Sequence, residues 1–545
     1  MKVRLFLLTL CSWLSVTCVA VEPTPAPDAQ TAAPGQTANA AKPVFDLLDI
    51  QVDGNTVLDD ETMERAVYGF LGPGKTIDDV EKARTALEDA YRTAGYPTVL
   101  VAIPEQDINE EGRVKFNIVE GKIETMHITG SRYYALNKIR EAVPALAEGQ
   151  VPHMPTVQAQ MNTLSQQAPD RTVTPIFRAG STPGKMEVEM RVKDELPLHA
   201  SIEMNSRNTS NTTYSRLIGS IRYDNLWQKF HSASLQYQVS PEDINQVQVF
   251  TGTYVMPTGW YDTRLAIYGM SLNSNTQVPG IQVGDLAVIG NGSIVGTRLV
   301  KPLQTDSNVT QNITFGFDYK SFGTTTTTNT QVDYAKFLAG FDASWRTAGS
   351  ATSMSLMGNF SFRGLGNDAT QFAAKRVNAS GEGASPNFMY LSGNVKSQLT
   401  LPWDFLLQSR IQGQASSTFL INNEQFSAGG PLSVRGYHQS QVLGDNGLNL
   451  SVEIHSPKLF SSDYESIQNF RTLVFAEWAG LWSSNQPPSP NNTYLASTGM
   501  GLRMKMFKAL TGEFDWSYPL ETYQSLTARV GAGQQRVDFR MLYEF

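Results

Sequence analysis

From residue 196 to the end, the chain is a succession of segments of 9–14 residues in which apolar and polar side chains alternate, and this pattern restricts the fold more than any other feature. Ser232-Ala233-Ser234-Leu235-Gln236-Tyr237-Gln238-Val239 is one such segment, and Asn312-Ile313-Thr314-Phe315-Gly316-Phe317-Asp318-Tyr319 is another. Gln408 to Gln414 and Arg536 to Phe545 follow the same rule. A period of two sends successive side chains to opposite faces of a strand. No run of about 18 apolar residues, the length a spanning helix needs, follows the first 20 residues. These 350 residues carry only 24 basic and 24 acidic side chains, whereas the first 195 carry 19 and 27. Few charges without long apolar runs is the composition of a wall with lipid on one side and water on the other. Such a wall must close on itself, because a lipid-exposed edge leaves backbone groups unpaired. A transmembrane antiparallel β-barrel is therefore predicted, and at about 22 residues per strand and its share of loops it has about 16 strands.

Connection lengths agree. If the first strand enters from the inner side, odd-to-even connections face outward and should be long. They include Asn273–Val283, Gly323–Thr330, Leu365–Pro386 and Ser483–Asn492. The alternate turns are tight, as at Pro257-Thr258-Gly259 and Pro402-Trp403-Asp404. The chain ends with Val537, Phe539, Met541, Tyr543 and Phe545 on alternate positions. A secreted soluble β-sandwich or propeller is the competing reading, but it leaves this ending and the front of the chain unexplained.

The amino terminus has the form of an export signal. Lys2 and Arg4 precede the apolar run Leu5–Val19, with Cys18 and Ala20 at −3 and −1 of a cut before Val21. About 15 apolar residues fall short of the roughly 20 that span a bilayer. Cys18 is also a possible lipoprotein site, which Ser15-Val16-Thr17 fits poorly. Both cysteines lie in this segment, so a processed chain has no disulfide, thiolate metal site or cysteine nucleophile. Glu22 to Pro43 is rich in Pro and Ala and reads as a linker.

The front part contains a repeat. Phe45-Asp46-Leu47-Leu48-Asp49-Ile50-Gln51-Val52 precedes Gly54, and Lys122-Ile123-Glu124-Thr125-Met126-His127-Ile128-Thr129 precedes Gly130, 76 residues later. Two helical stretches and two strands follow each glycine. In the first copy Asp78-Asp79-Val80-Glu81 has the form of a capping box, Val80, Ala83, Leu87, Ala90, Tyr91 and Ala94 share one helix face, and Gly95 ends it. Val99–Ile103 and Val114–Val119 supply its strands. The second copy uses Asn137–Leu146, Val157–Gln167, Val173–Arg178 and Met186–Val192. Two β-α-α-β-β units are predicted, over 45–120 and 121–195. Each leaves a strand edge able to take up an extended peptide, or else serves as a spacer.

Enzyme signatures are absent. The six histidines are scattered, and neither His-Glu-x-x-His nor a phosphate-binding lysine loop occurs. Glu453 and His455 share a strand face and read as a polar pair inside the barrel rather than a metal site. No cofactor or metal is expected. A net charge of −8 argues against nucleic acid as a partner.

One segment stands out. Phe426 to Tyr437 reads Phe-Ser-Ala-Gly-Gly-Pro-Leu-Ser-Val-Arg-Gly-Tyr, between the eleventh and twelfth predicted strands. Val434-Arg435-Gly436-Tyr437 resembles the loop-six motif of outer-membrane translocases with periplasmic POTRA domains. Two POTRA-like repeats before a barrel of about sixteen strands resemble two-partner secretion transporters, the TpsB-type exporters of filamentous haemagglutinin and haemolysin. The resemblance extends over roughly residues 45–545. Further matches are Tyr91, Gly95 and Tyr96 in the first repeat, Asn162, Pro169 and Arg171 in the second, and Gly499-Met500-Gly501-Leu502-Arg503 late in the barrel. The terminal Phe545 resembles the carboxy-terminal signal read by the barrel-assembly machinery.

The resemblance implies that residues 1–20 are a signal peptide, 21–44 a linker, 45–120 and 121–195 POTRA domains, and 196–545 an outer-membrane barrel in a Gram-negative envelope, with loop 422–447 turned into the lumen. It implies that Arg435 pairs with an acidic residue of the wall. An Arg in a narrow lumen needs a carboxylate or water, and its planar fork suits a carboxylate. Glu477, in Phe475-Ala476-Glu477-Trp478-Ala479-Gly480, is the expected partner, since a carboxylate there cannot face lipid. The family usually carries Phe-x-Asp-x-Gly; here the acid is Glu and the glycine comes one place later. The plug helix that many members carry before the first POTRA domain has no counterpart in 21–44, which holds five prolines. The implied partners are a secreted exoprotein in extended form, bound through the POTRA motifs, outer-membrane lipid, and the assembly machinery during biogenesis. Export would proceed without a nucleotide. A barrel-assembly insertase shares this plan, usually with more POTRA domains, and a passive porin would need neither the repeats nor the loop motif.

Overall fold

The computed structural model describes residues 44–106, 112–274, 290–303, 308–323, 331–366, 369–377, 381–460, 467–484, 493–524 and 529–545. The predicted signal peptide, all but the last residue of the linker, and parts of the four long connections lie outside the described residues.

The first α/β domain runs β1 (Phe45–Leu47), β2 (Asp49–Asp53), α1 (Asp60–Val67), β3 (Gly72–Lys75), α2 (Ile77–Thr93), β4 (Leu100–Ala102) and β5 (Arg113–Val119). The single extended run expected over 45–52 is split. Its start pairs with β3, and its end lies parallel to β5 at the centre of a three-stranded sheet. α2 begins two residues earlier than the acidic run indicated. Thr76 caps it, with its backbone N–H and its hydroxyl donating to Asp79 at 3.1 and 2.9 Å. The capping box is thus Thr76 with Asp79 rather than Asp78 with Glu81. Lys82 and Thr76 together hold the Asp79 carboxyl down at about 2. Val80, Ala83 and Leu87 are buried from α2 as their spacing requires.

The second α/β domain repeats the order with β6 (Lys122–Thr129), α3 (Leu136–Ala142), α4 (Met154–Gln167), β7 (Arg171–Ala179) and β8 (Lys185–Asp194). β8 is central, parallel to β6 and antiparallel to β7. Ile139, Leu146, Val157, Leu164, Val188 and Met190 fill its core.

The remainder is a closed barrel of sixteen antiparallel strands. They are Leu198–Asn205, Arg216–Leu226, His231–Val239, Gln248–Pro257, Arg264–Ser274, Gly290–Pro302, Val309–Gly323, Val332–Arg346, Ser350–Ser361, Phe388–Thr400, Leu406–Ser416, Asn446–His455, Ile467–Trp482, Thr493–Met506, Leu510–Pro519 and Arg536–Glu544. Each pairs with the next, and the sixteenth closes on the first with Arg540 opposite Asn205 and Glu544 opposite Ser201. Alternation assigns the faces. In the last strand Val537, Met541 and Tyr543 point outward while Asp538 is buried inside. Trp227, Trp260, Tyr261 and Trp403 stand exposed on the tight turns at one end, where an aromatic girdle belongs. A short helix, Ala369–Lys375, interrupts the long connection between strands nine and ten, where only a loop was predicted.

The second α/β domain is fastened to the barrel's first tight turn. Asn225 and Gln228 both donate to the Tyr133 carbonyl at 3.0 Å. Asp170 pairs with His199 of the first strand at 3.0 Å.

Candidate functional site

The segment between strands eleven and twelve folds back into the barrel. Phe426–Ala428 pairs with Val442–Gly444 as a narrow antiparallel ribbon whose tip carries Val434 to Tyr437. Asp445 holds the base of the ribbon. It accepts from the backbone N–H groups of Leu420 and Ser484 at 3.1 and 2.9 Å and pairs with Arg376 at 2.5 Å.

Arg435 is 2% exposed and sits in a knot of carboxylates. Its backbone N–H donates to Glu477 Oε2 at 2.7 Å, and its Nε and Nη2 donate to Oε1 at 3.1 and 2.7 Å. Nη2 also reaches Glu453 Oε1 at 2.5 Å, and Nη1 lies 3.2 Å from Asp515 Oδ1. The Phe475 ring lies 3.5 Å beneath the guanidinium, a cation–π seat that a lysine would fill less well. Each acid has other partners. Ser451 donates to Glu477, His455 pairs with Glu453, and Arg503 grips Asp515 through two bonds of 2.8 and 3.0 Å. Strands twelve, thirteen, fourteen and fifteen all contribute, so the knot exists only when the loop tip is seated against that wall.

The flanking motif residues fit around it. Val434 and Tyr437 are fully buried among Ala428, Val442, Ala479, Leu481 and Leu495. The Tyr437 hydroxyl donates to the Glu521 carbonyl at 2.7 Å and lies 3.1 Å from that of Ala496. Gly436 has φ +91°, and a Cβ there would stand 2.8 Å from Pro519 Cγ. Only glycine meets both conditions.

The structure brings Arg435 and Glu477 together, although the acid is Glu and the following glycine is displaced. Two partners escaped sequence reasoning. Glu453 had been paired only with His455, and Asp515 was not singled out at all. Asp515 carried a signal: an acid between Phe514 and Trp516 in a barrel strand has to point inward.

The POTRA-motif residues lie elsewhere and differ in access. Tyr91 is fully buried on α2, and burial pushes its hydroxyl up to about 12. Gly95 has φ +94°, with the His153 ring 2.7 Å from where a Cβ would be. The Tyr96 ring lies 5.0 Å from that ring, tilted by 46°. Asn162 and Pro169 are exposed, and Asn162 accepts from Gln158 at 2.9 Å. Arg171 is 2% exposed. It donates to the Leu164 carbonyl and lies over the Tyr134 and Phe230 rings at 4.8 and 5.1 Å. Tyr91 and Arg171 therefore lie within the fold rather than on its surface. The Phe545 ring is exposed against Tyr543, and its backbone N–H donates to the Ala200 carbonyl at 2.9 Å.

Inside the barrel, below the ribbon, lies a cavity of about 480 Å³ lined by Arg207, Gln408, Arg410, Arg435, Glu453 and Arg540 among others. A second, of about 680 Å³, is lined by Thr310, Ser344, Thr352, Lys396, Gln398 and Gln408 among others. Both walls are polar and hydrogen-bonding, suited to water or an extended polypeptide.

Comparison with known proteins bears on this arrangement. The POTRA domain, ShlB-type, matches residues 45–121. The haemolysin secretion/activation protein ShlB/FhaC/HecB family matches residues 184–504. No curated protein matches the chain by sequence. Among solved structures, CdiB from Escherichia coli superposes with a TM-score of 0.67 at 18% identity, covering 94% of this chain and 93% of that one. CdiB from Acinetobacter baumannii gives 0.58 at 12% identity, covering 92% and 90%. BamA from Haemophilus ducreyi lacking POTRA domains 1–3 gives 0.54 at 14% identity, covering 92% and 100%. At these identities the superpositions establish the fold, whereas the family match covers more than half of the sequence. The chain belongs to the haemolysin secretion/activation protein family ShlB/FhaC/HecB, outer-membrane two-partner secretion transporters with periplasmic POTRA domains.

Proposed function

We propose that this transporter recruits one large secreted protein in extended form through its POTRA domains and passes it through the barrel, with loop 422–447 moving or reshaping the lumen during passage. The observation that supports this most is the Arg435 knot. It closes the space between loop tip and wall with polar contacts to Glu477, Glu453 and Asp515, each of which keeps another partner when the tip leaves. Such a seat is reversible in a way that an apolar plug is not, because the acids are not stranded. The incoming chain would add to an edge of the POTRA sheets, β6 and β7 being the outer strands of the second. Tyr96, Asn162 and Pro169 are the motif residues placed to touch it. Tyr91, Gly95 and Arg171 act by holding the shape. Folding outside the cell supplies direction without a nucleotide.

The experiment is a comparison of secreted and outer-membrane proteomes with and without the gene. Loss of one large secreted protein, with the outer membrane otherwise intact, identifies the cargo. Depletion of many barrel proteins would instead make the chain an insertase, and no change in either fraction would favour a passive channel.

A further inference from the structure

The inward loop has a second anchor on a different arc of the barrel wall. Glu424 begins the loop and is 4% exposed. Lys320 donates to its Oε1 at 2.5 Å and Tyr334 to the same atom at 2.6 Å. Lys336 donates to Oε2 at 3.3 Å and Tyr390 at 2.6 Å. A carboxylate offers about four lone-pair sites, and four donors are present here. Phe372, Phe388, Phe419 and Leu420 belong to one buried apolar cluster with Tyr334 and Tyr390.

The placement of the two anchors matters. Lys320 is on the seventh strand, Tyr334 and Lys336 on the eighth, Tyr390 on the tenth. The Arg435 partners are on the twelfth, thirteenth and fifteenth. Strands seven to ten and strands twelve to fifteen form two separate arcs of the ring, one on either side of strand eleven, from which the loop springs. A segment of about a dozen residues is tied to one arc of the wall at Glu424 and to the other at Arg435.

We propose that Glu424 is a positioning residue, and that loop 422–447 is a crossbar whose two ties act independently. Breaking the Arg435 knot frees the tip but leaves the stem bound to strands seven, eight and ten. Breaking the Glu424 cluster frees the stem but leaves the tip seated. Only loss of both lets the loop leave the lumen. The consequence for export rests on the function proposed above; the double tie does not.

The test is single-channel conductance of the full-length protein in planar bilayers. The variants are Arg435→Ala, Glu424→Gln and their combination. Glu424→Gln strands two lysines, so the triple variant Glu424→Gln, Lys320→Met, Lys336→Met is made alongside. Heat-modifiable migration in gels verifies that each barrel is closed. Each tie broken alone is expected to leave the wild-type closed level dominant with brief openings, and both broken together to abolish it. The proposal is overturned if Arg435→Ala or either Glu424 variant alone reaches the open level of the combination, or if the combination opens no further than Arg435→Ala. Expected conductances with export of the partner unaffected would reject the loop's proposed role in passage and leave the double tie standing.

Discussion

Replacing Arg435 by alanine removes the guanidinium but keeps the backbone N–H that donates to Glu477, so the effect isolates the side chain. Breaking a buried ion pair by deleting one partner costs about 3–5 kcal/mol, mostly from the charge left behind. Here the lower end applies. Glu453 keeps His455, Asp515 keeps Arg503, and Glu477 keeps Ser451 with Arg410 3.9 Å away. About 3 kcal/mol off the seated state corresponds to roughly a hundredfold shift in the equilibrium between seated and unseated tip. Beyond Cys18 the sequence has no cysteine, so a reporter thiol at Leu432 is unique in a processed chain. Its rate of reaction with a membrane-impermeant maleimide added to cells reads the unseated fraction when reseating is fast. The alanine variant should label about two decades faster, with Arg435→Lys in between because a point charge reproduces neither the fork nor the stacking on Phe475. A labelling rate within twofold of the parent, in a barrel that still migrates as folded, would refute the claim that this guanidinium seats the loop.

Further perturbations test the surroundings. Tyr437→Phe removes a hydroxyl bonded to Glu521 and should shift the same labelling rate about fivefold, the worth of about 1 kcal/mol; no change would mean the hydroxyl is solvated in practice. Gly436→Ala meets both a left-handed backbone and Pro519, so the thermal midpoint of the gel-shift transition should fall; an unchanged midpoint would show that the ribbon tip yields. In the second POTRA domain, hydrogen bonds from Thr182 and Ser181 hold Glu124 down at about 2. A carboxyl lowered on folding contributes stability above its ordinary pKa and loses it as pH falls toward the lowered one. Thermal melts of the parent between pH 5 and 2 should therefore fall more steeply than those of Glu124→Gln, and parallel curves would discard the assignment.

How much of this was legible in the sequence follows from what a local pattern encodes. Alternation gave the faces of the barrel segments, and the length of the region against that of a strand with its loops gave their count, so the fold and the site of the loop between strands eleven and twelve could be read directly. The helix Ala369–Lys375 was not read. Its seven residues are too few for a periodic signal, and it is held by the burial of Phe372 against Tyr334 rather than by its own propensity. The same limit governs the site. Inward orientation is a property of one strand, whereas pairing across a lumen depends on which strands stand opposite each other after closure. Glu477 was reachable because the resemblance names an acid on that strand. Glu424 sits at the foot of the loop, and nothing in Asn422-Asn423-Glu424-Gln425 points to lysines about a hundred residues earlier. It becomes visible only once the ring is closed and the loop lies against strands seven, eight and ten. That asymmetry has a mechanical meaning. The tip knot draws on Arg503 and His455, which satisfy the acids after release, while the stem carboxylate, when it departs, leaves two buried lysines whose neighbouring acid, Asp318, is already paired with Arg298. The tip is therefore the tie that gives way at lower cost, and the stem is the tie that brings the loop back.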